Sequence, residues 1–399
     1  MEDRRIVVVG AGIGGLVAAL AMLKAGMRVR VLEQASTLGE VGAGVQLSAN
    51  ATRLLAMLGL VRDINERASE PIGKEIRLWS TGQTWKLFDL GATSRERYGG
   101  PYVTMHRGDL HAALVRAVQA ITPGCIELNA RCVKASVDGQ CAPFVELADG
   151  RRIEADVLVG ADGVHSKVRE AIAGPDKPVF SGCLAWRGVI PANRLPERLR
   201  TPLGVNWVGP GKHVVHYPLR GGELMNFVGI VEKQGWEVES WTQKGSLREC
   251  LDDFRGWHHD VATLIEAIET HYKWALMVRE PISNWTTGHA TLLGDAAHPT
   301  LPFLAQGAAM AIEDGVVLSR ALAAHPADSE RALSAYQQAR IERTSRIVRG
   351  SADNARRFHN PLLADAGGAE RYINEQWLPE RVEQRYGWLF EYRAEDVDV

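Results

Sequence analysis

The chain has 399 residues, 46% apolar and 24% charged, so at roughly 150 residues per domain it holds two or three structural units around a real core. Those fractions exclude a disordered, collagen-like or wholly coiled-coil protein. Its 46 Lys and Arg against 48 Asp and Glu leave a net charge of -2, with no positive excess to release counterions from nucleic acid, and a small or neutral ligand is expected instead. The five cysteines, Cys125, Cys132, Cys141, Cys183 and Cys250, never fall in Cys-x-x-Cys spacing. Neither a disulfide framework nor a metal site is signalled, and a reducing cytoplasm fits.

The uncharged run from Ile6 to Leu23 approaches a membrane span in length. Four glycines fall within Gly10 to Gly15, however, and their clustering marks a buried strand entering a tight turn, so no membrane span is expected. The pattern predicts a strand over 6–9, a helix over 16–25 closed by Gly26, and a second strand over 29–32. In this βαβ unit Gly10 allows the turn, Gly12 lets backbone N–H groups approach a pyrophosphate, Gly15 permits close helix packing, and the helix N-terminus adds partial positive charge. Glu33 follows Gly15 by 18 residues, where a carboxylate accepts hydrogen bonds from ribose hydroxyls and repels a 2′-phosphate. This fingerprint reads as a dinucleotide site and does not by itself separate NAD from FAD.

Two later segments have related form. Residues 156–163 read as a strand leaving into the turn Asp162-Gly163, with Ser166, Lys167 and Arg169 opening a helix. Residues 291–299 read as a strand reaching Gly294-Asp295, followed by a helix over 307–322 that contains Glu313 and Asp314 and whose N-terminus can face an anionic ring edge. Together Gly10-x-Gly12-x-x-Gly15 with Glu33, then Asp162-Gly163, then Gly294-Asp295 resemble the single-component FAD-dependent aromatic hydroxylases, the family of p-hydroxybenzoate and salicylate hydroxylases. The resemblance covers nearly the whole chain. It implies FAD as cofactor and NADH or NADPH as transient electron donor. It also implies that Asp295 holds the ribityl chain, that Asp162 and Gly163 lie where FAD and the pyridine nucleotide meet, that Arg107 contacts FAD, and that Gly307 belongs to the cofactor loop.

The expected fold is mixed α/β: a discontinuous Rossmann-like FAD-binding domain (1–73, 99–178 and 275–325), a smaller substrate-binding β-sheet domain (74–98 and 179–274) and a C-terminal helical segment (326–399) packed on the body. Hairpins are expected over 75–79 with 84–88 and over 213–217 with 224–231. A helix over 329–350 carries Arg340, Arg343, Arg346 and Arg349 every third residue, which reads as a solvated face.

Along a strand, His213, Val215 and Tyr217 share one face while Val214 and His216 take the other. Imidazole accepts a phenolic proton near neutral pH, and a Tyr hydroxyl can orient it or hold a carboxylate; a half-buried pair supporting the sheet is the alternative. The segment 213–223 is similar to that of 3-hydroxybenzoate 6-hydroxylases, whose active-site His and Tyr match His213 and Tyr217. The resemblance implies a monooxygenase in which reduced flavin forms a hydroperoxide and an electron-rich ring attacks its distal oxygen. The expected partners are a small aromatic acid, O2 and NAD(P)H, with 3-hydroxybenzoate 6-hydroxylation leading, salicylate 1-hydroxylation and 6-hydroxynicotinate 3-hydroxylation as alternatives, and a homodimer allowed. The loop 299–307 should lie against the flavin and bring Pro302 and Phe303 to the substrate pocket. It differs from those hydroxylases, which carry Gln near Leu301. More remote readings are a nicotinamide dehydrogenase, a non-catalytic flavin-binding regulator, or a flavin-dependent halogenase, whose Trp-x-Trp-x-Ile-Pro signature is matched by Trp186 to Pro191 except at Gly188.

Overall fold

The computed structural model describes residues 4–39, 43–137, 141–233 and 243–399. Its first sheet has six strands in the spatial order Thr286–Thr287, Ala290–Leu292, Val157–Gly160, Arg5–Val9, Arg28–Leu32, Ile126–Glu127, all parallel except the Thr286–Thr287 edge. Ile6 to Val9 and Val157 to Gly160 are buried on both faces, which is why they read as unbroken apolar runs. The helix Ile13–Lys24 is buried from Ile13 through Leu23. It crosses the helix Gly307–Ala324 so closely that a Cβ on Gly315 would stand 2.7 Å from the Ala18 nitrogen.

The second sheet has seven strands in the order Tyr272–Val278, Val179–Pro191, Leu224–Glu232, Lys212–Leu219, Leu203–Gly209, Gly73–Leu78, Thr84–Asp89. The strand Tyr272–Val278 runs across the expected 274/275 boundary, because it pairs with Val179–Pro191 on both sides of that point, at Tyr272 to Ala275 and at Met277 and Val278. One face of this sheet buries Trp186, Trp207, Val214 and Phe227 against Phe254, Leu264 and Ile265 from the region of the helices Leu247–Asp253 and His259–Glu266. Its other face meets Leu301 and Phe303 and the C-terminal helices.

The helix Ser329–Phe358 is longer than its sequence pattern suggests, and the solvated-face reading of its arginines is half wrong. Arg346 and Arg349 are exposed, but Arg340 and Arg343 are buried. Arg340 bridges Glu313 (2.7 Å) and Asp314 (2.8 Å), and Arg343 bridges Glu313 (2.8 Å). The reason is pairing: spacing alone cannot reveal that two carboxylates of the preceding helix wait opposite. Phe390, in the aromatic tail, packs edge-on against Tyr98 (5.5 Å) and Tyr102 (5.9 Å).

Candidate active site

The glycine turn is built as its spacing requires. Gly10 has φ +105°, and a Cβ there would collide with the Ala161 carbonyl at 2.4 Å; one on Gly15 would strike the Gly10 carbonyl at 2.0 Å. Gly12 is different. Among the described residues, a Cβ there would meet nothing within 4 Å, and Gly12 caps the helix Ile13–Lys24 without a side-chain cap hydrogen bond. That is an anion-sized cradle with donors at its floor. Glu33 is fixed beside it, its two oxygens accepting from the Ala11 and Ala35 N–H groups, both at 2.8 Å. Each carboxylate oxygen retains a second lone pair for a ribose hydroxyl.

Asp162 and Gly163 adjoin this turn, with Asp162 Cα 3.1 Å from a Cβ placed on Gly10. The Asp162 carboxylate turns inward: it accepts from the Ser166 hydroxyl and the Lys167 N–H (2.7 Å), capping the helix Lys167–Ala173. Burial pushes its pKa up against those hydrogen bonds. Gly163 has φ +75° and open space at its Cβ.

Asp295 is an exposed side chain in a turn whose neighbours, from Thr291 to Pro299, are buried. It sits in a recess dense with protein atoms, where desolvation raises its pKa while the charges of Arg107 and His298 lower it. Asp295 and Arg107 are therefore near enough for their charges to act on each other. Gly294 holds φ +59° and donates its N–H to Asp314 at 2.9 Å. Gly307 opens the helix Gly307–Ala324, whose cap, Gln306, is drawn off to Ser48 (3.0 Å) and Asn50 (3.1 Å) and makes no side-chain cap hydrogen bond to the helix N-terminus. A glycine cradle, an uncapped helix end, and an Arg and an Asp whose charges interact fit an extended dinucleotide.

A short ladder ties this cradle to the second sheet. The strands Gly44–Leu47 and Val103–His106 pair, the Arg107 N–H donates to Ala43, and the Gly44 N–H donates to Asn226 at 2.7 Å. A Cβ on Gly44 would lie 2.7 Å from the Tyr217 hydroxyl, so the phenol closes over bare backbone. Burial raises the Tyr217 pKa above the ordinary phenol range despite its contact with Asn226.

The pleat places His213 and Tyr217 on one face and His216 on the other. His213 lies edge-on to Phe303 at 5.1 Å, whereas Val214 belongs to the opposite core. Between them Val215 pairs with Val228, and these two are the half-buried positions in otherwise buried stretches. They lie on the face shared by His213 and Tyr217, between the two. Phe303 closes one side. Ser351 and Asn354 of the long helix hold its loop by bonding the carbonyls of Leu301 and Phe303; Pro302 is exposed. Burial, then the adjacent His359 ring, push the pKa of His213 well below the usual imidazole range. It is neutral, and it is a weaker base than an exposed His.

Sequence reasoning missed three residues here. His359, just past the long helix, meets His213 at 2.6 Å and Glu232 at 2.8 Å. Lys74 stands beside Gly204, in the register that puts it on the Tyr217 face. Its ammonium lies 4.8 Å from the Tyr102 ring centre, with no carboxylate partner among the described residues, and burial lowers its pKa to about 7. No motif marks any of the three. On the opposite face, Trp186 bonds Asp253 at 2.8 Å, and a Cβ on Gly188 would strike Ile268 at 2.3 Å, leaving no room for a second Trp.

The family model described as FAD binding domain matches residues 3–351. The chain belongs to this family. It is 38% identical to 3-amino-4-hydroxybenzoate 2-monooxygenase of Streptomyces platensis over 397 residues, covering 98% of this chain and 97% of that one. It is also 38% identical to 3-hydroxybenzoate 6-hydroxylase of Polaromonas naphthalenivorans over 393 residues, covering 97% and 96%. The crystal structure of Klebsiella pneumoniae HpxO complexed with FAD and uric acid superposes with a TM-score of 0.82 at 25% identity, covering 96% of each chain. The protein is an FAD-dependent monooxygenase of the aromatic hydroxylase family. Among the described residues no helix is long and apolar enough to cross a membrane.

Proposed function

We propose that the enzyme hydroxylates a hydroxylated aromatic acid, with 3-hydroxybenzoate 6-hydroxylation as the leading reaction. The observation that carries this is the half-buried pair Val215 and Val228 in otherwise buried stretches, with His213 on one side of it along the strand and Tyr217 on the other. A ring set there has an imidazole for its phenolic proton, a phenol against its polar edge, and Phe303 on its apolar side. Lys74 reaches the same face and supplies a cation for the carboxylate.

Gly12, Glu33, Arg107 and Asp295 would hold FAD, which, when bound and reduced by NAD(P)H, would supply the activated oxygen atom. The chain's own residues do the rest. His213 takes the phenolic proton, which enriches the ring in electrons; Tyr217 and Lys74 orient the acid; Phe303 and Leu301 exclude water. A second reading, 3-amino-4-hydroxybenzoate 2-hydroxylation, draws on the 38% identity over 397 residues to the 3-amino-4-hydroxybenzoate 2-monooxygenase of Streptomyces platensis.

The test is a panel of 3-hydroxybenzoate, salicylate, 6-hydroxynicotinate and 3-amino-4-hydroxybenzoate, scored for NADH and NADPH consumption, oxygen uptake and product by mass spectrometry. Stoichiometric product from 3-hydroxybenzoate with the new hydroxyl at the 6-position supports the leading reading. Stimulated NADH oxidation with peroxide as the only product makes that acid an effector and sinks it as substrate.

A further inference from the structure

His213 is enclosed, with only 2% of its surface exposed, so an imidazolium formed there has no water to stabilise it. The groups behind it answer that difficulty. His213 Nδ1 is 2.6 Å from His359 Nε2, and His359 Nδ1 is 2.8 Å from Glu232 Oε1. The Glu232 side chain is 57% exposed, while that of His359 is 2% exposed. The three thus form one hydrogen-bonded line from the buried face to the surface.

The backbone fixes this line. The Gly211 N–H donates to the His359 carbonyl at 3.1 Å, and the Gly211 carbonyl accepts the Glu232 N–H at 2.9 Å, so one turn holds both outer members. Gly211 has φ +65°, which suits that turn to glycine. Neighbouring cations are engaged elsewhere: Lys212 and Lys233 both bond Asp253. Among the described residues, Glu232's side-chain partner is His359.

We propose that His359 and Glu232 form a relay that carries the substrate's phenolic proton from His213 to the protein surface. This rests on the reading of His213 as the substrate base. The Glu232 carboxylate accepts from His359 Nδ1–H, which fixes the His359 tautomer and leaves its Nε2 lone pair to accept His213 Nδ1–H. His213 Nε2 then holds the lone pair for substrate. In the step, the phenol O–H bond breaks and the proton joins His213 Nε2. The Nδ1 proton of His213 passes to His359 Nε2, and the Nδ1 proton of His359 passes to Glu232. The products are a phenolate, two neutral imidazoles in the exchanged tautomer, and a carboxylic acid that solvent deprotonates. No buried cation persists. His359 and Glu232 are positioning residues, acting through His213.

The experiment uses FAD-loaded enzyme mixed with 3-hydroxybenzoate in a stopped flow, reading the absorbance of the bound phenolate, together with flavin reduction by NADH and product per NADH. Glu232→Gln and His359→Gln should slow phenolate formation at least tenfold and divert electrons to peroxide, while flavin reduction stays within about twofold and Glu232→Asp restores most of the rate. In ¹⁵N-histidine spectra, His359 should carry its proton on Nδ1, and Glu232→Gln, being at the surface, should keep the melting temperature. If both variants form phenolate and product at the parent rate while His213→Ala loses them, the relay is overturned and the base reading stands. If His213→Ala also retains both, the base reading falls and the relay with it.

Discussion

Nδ1 of His213 lies 2.6 Å from Nε2 of His359, which follows it by 146 residues. One ring belongs to the central part of the substrate-side sheet and the other ends the long C-terminal helix. The helix therefore does more than cover the sheet: it brings a polar group to the one side of His213 that the strand cannot reach. The same helix holds Leu301 and Phe303 through Ser351 and Asn354, so packing and chemistry share a support.

Lys74 is the expected carboxylate anchor. Its pKa is lowered to about 7 by burial, so the free enzyme loses the ammonium as pH rises through that value, and a bound carboxylate restores it. Substrate Kd should be flat below about pH 7 and rise up to tenfold per unit above it. Lys74→Gln should weaken binding of the acid at pH 6.5 with little effect on its uncharged amide. Equal losses for acid and amide would refute the assignment.

Glu33 should select an adenine dinucleotide. The purified protein should be yellow with FAD rather than FMN, and Glu33→Lys should lose FAD on dilution, because both the ribose acceptor and the anchor on Ala11 and Ala35 disappear. Extraction and chromatography of the flavin decide this; full FAD occupancy in the dilute variant contradicts it.

Asp295 carries a carboxylate that makes no hydrogen bond to the described chain yet feels the charge of Arg107. Asp295→Ala should leave the melting temperature of flavin-free protein unchanged or slightly higher, while weakening FAD binding or slowing its reduction. A variant that holds FAD and is reduced at the parent rate would show that the recess has another use.

The ion pairs among Glu313, Asp314, Arg340 and Arg343 are buried, and breaking such a set by removing one partner costs about 3–5 kcal/mol. Arg340→Met should show that loss in urea unfolding. Burial raises the Asp314 carboxyl, but His298, Arg340 and the Gly294 N–H outweigh it and hold it at about 2. With the folded value below the unfolded one, its stabilisation is complete above about pH 4 and is lost as pH falls toward 2. A parent protein whose stability is flat across that window contradicts the sign.

The cofactor side of the molecule was legible because it is local. Gly10 and Gly15 are required by the close approach of backbone in the turn, Gly12 keeps the space above the helix end open, and Glu33 stands at the end of the next strand. The alternation of His213, His216 and Tyr217 was legible for the same reason, since a pleat needs no knowledge of its neighbours. Arg340 and Arg343 were misread because three-residue spacing also describes a wet helix face, and only the packed partner helix reveals Glu313 and Asp314. His359, Glu232 and Lys74 were missed because each acquires its role from residues more than 25 positions away. Asn360-Pro361 marks where the long helix must stop, but nothing in that signal says that His359 stops against His213.

The most direct measurement compares product and hydrogen peroxide formed per NADH in His213→Ala and His216→Ala. His216 faces away from His213 and Tyr217, and among the described residues neither of its buried ring nitrogens has a partner, so its removal forfeits no hydrogen bond there. His213→Ala should keep flavin reduction within a few-fold of the parent while hydroxylation falls about 10²–10⁴-fold and peroxide takes the electrons; His216→Ala should remain coupled. Uncoupling by His216→Ala, with parent product yield from His213→Ala, would contradict the account.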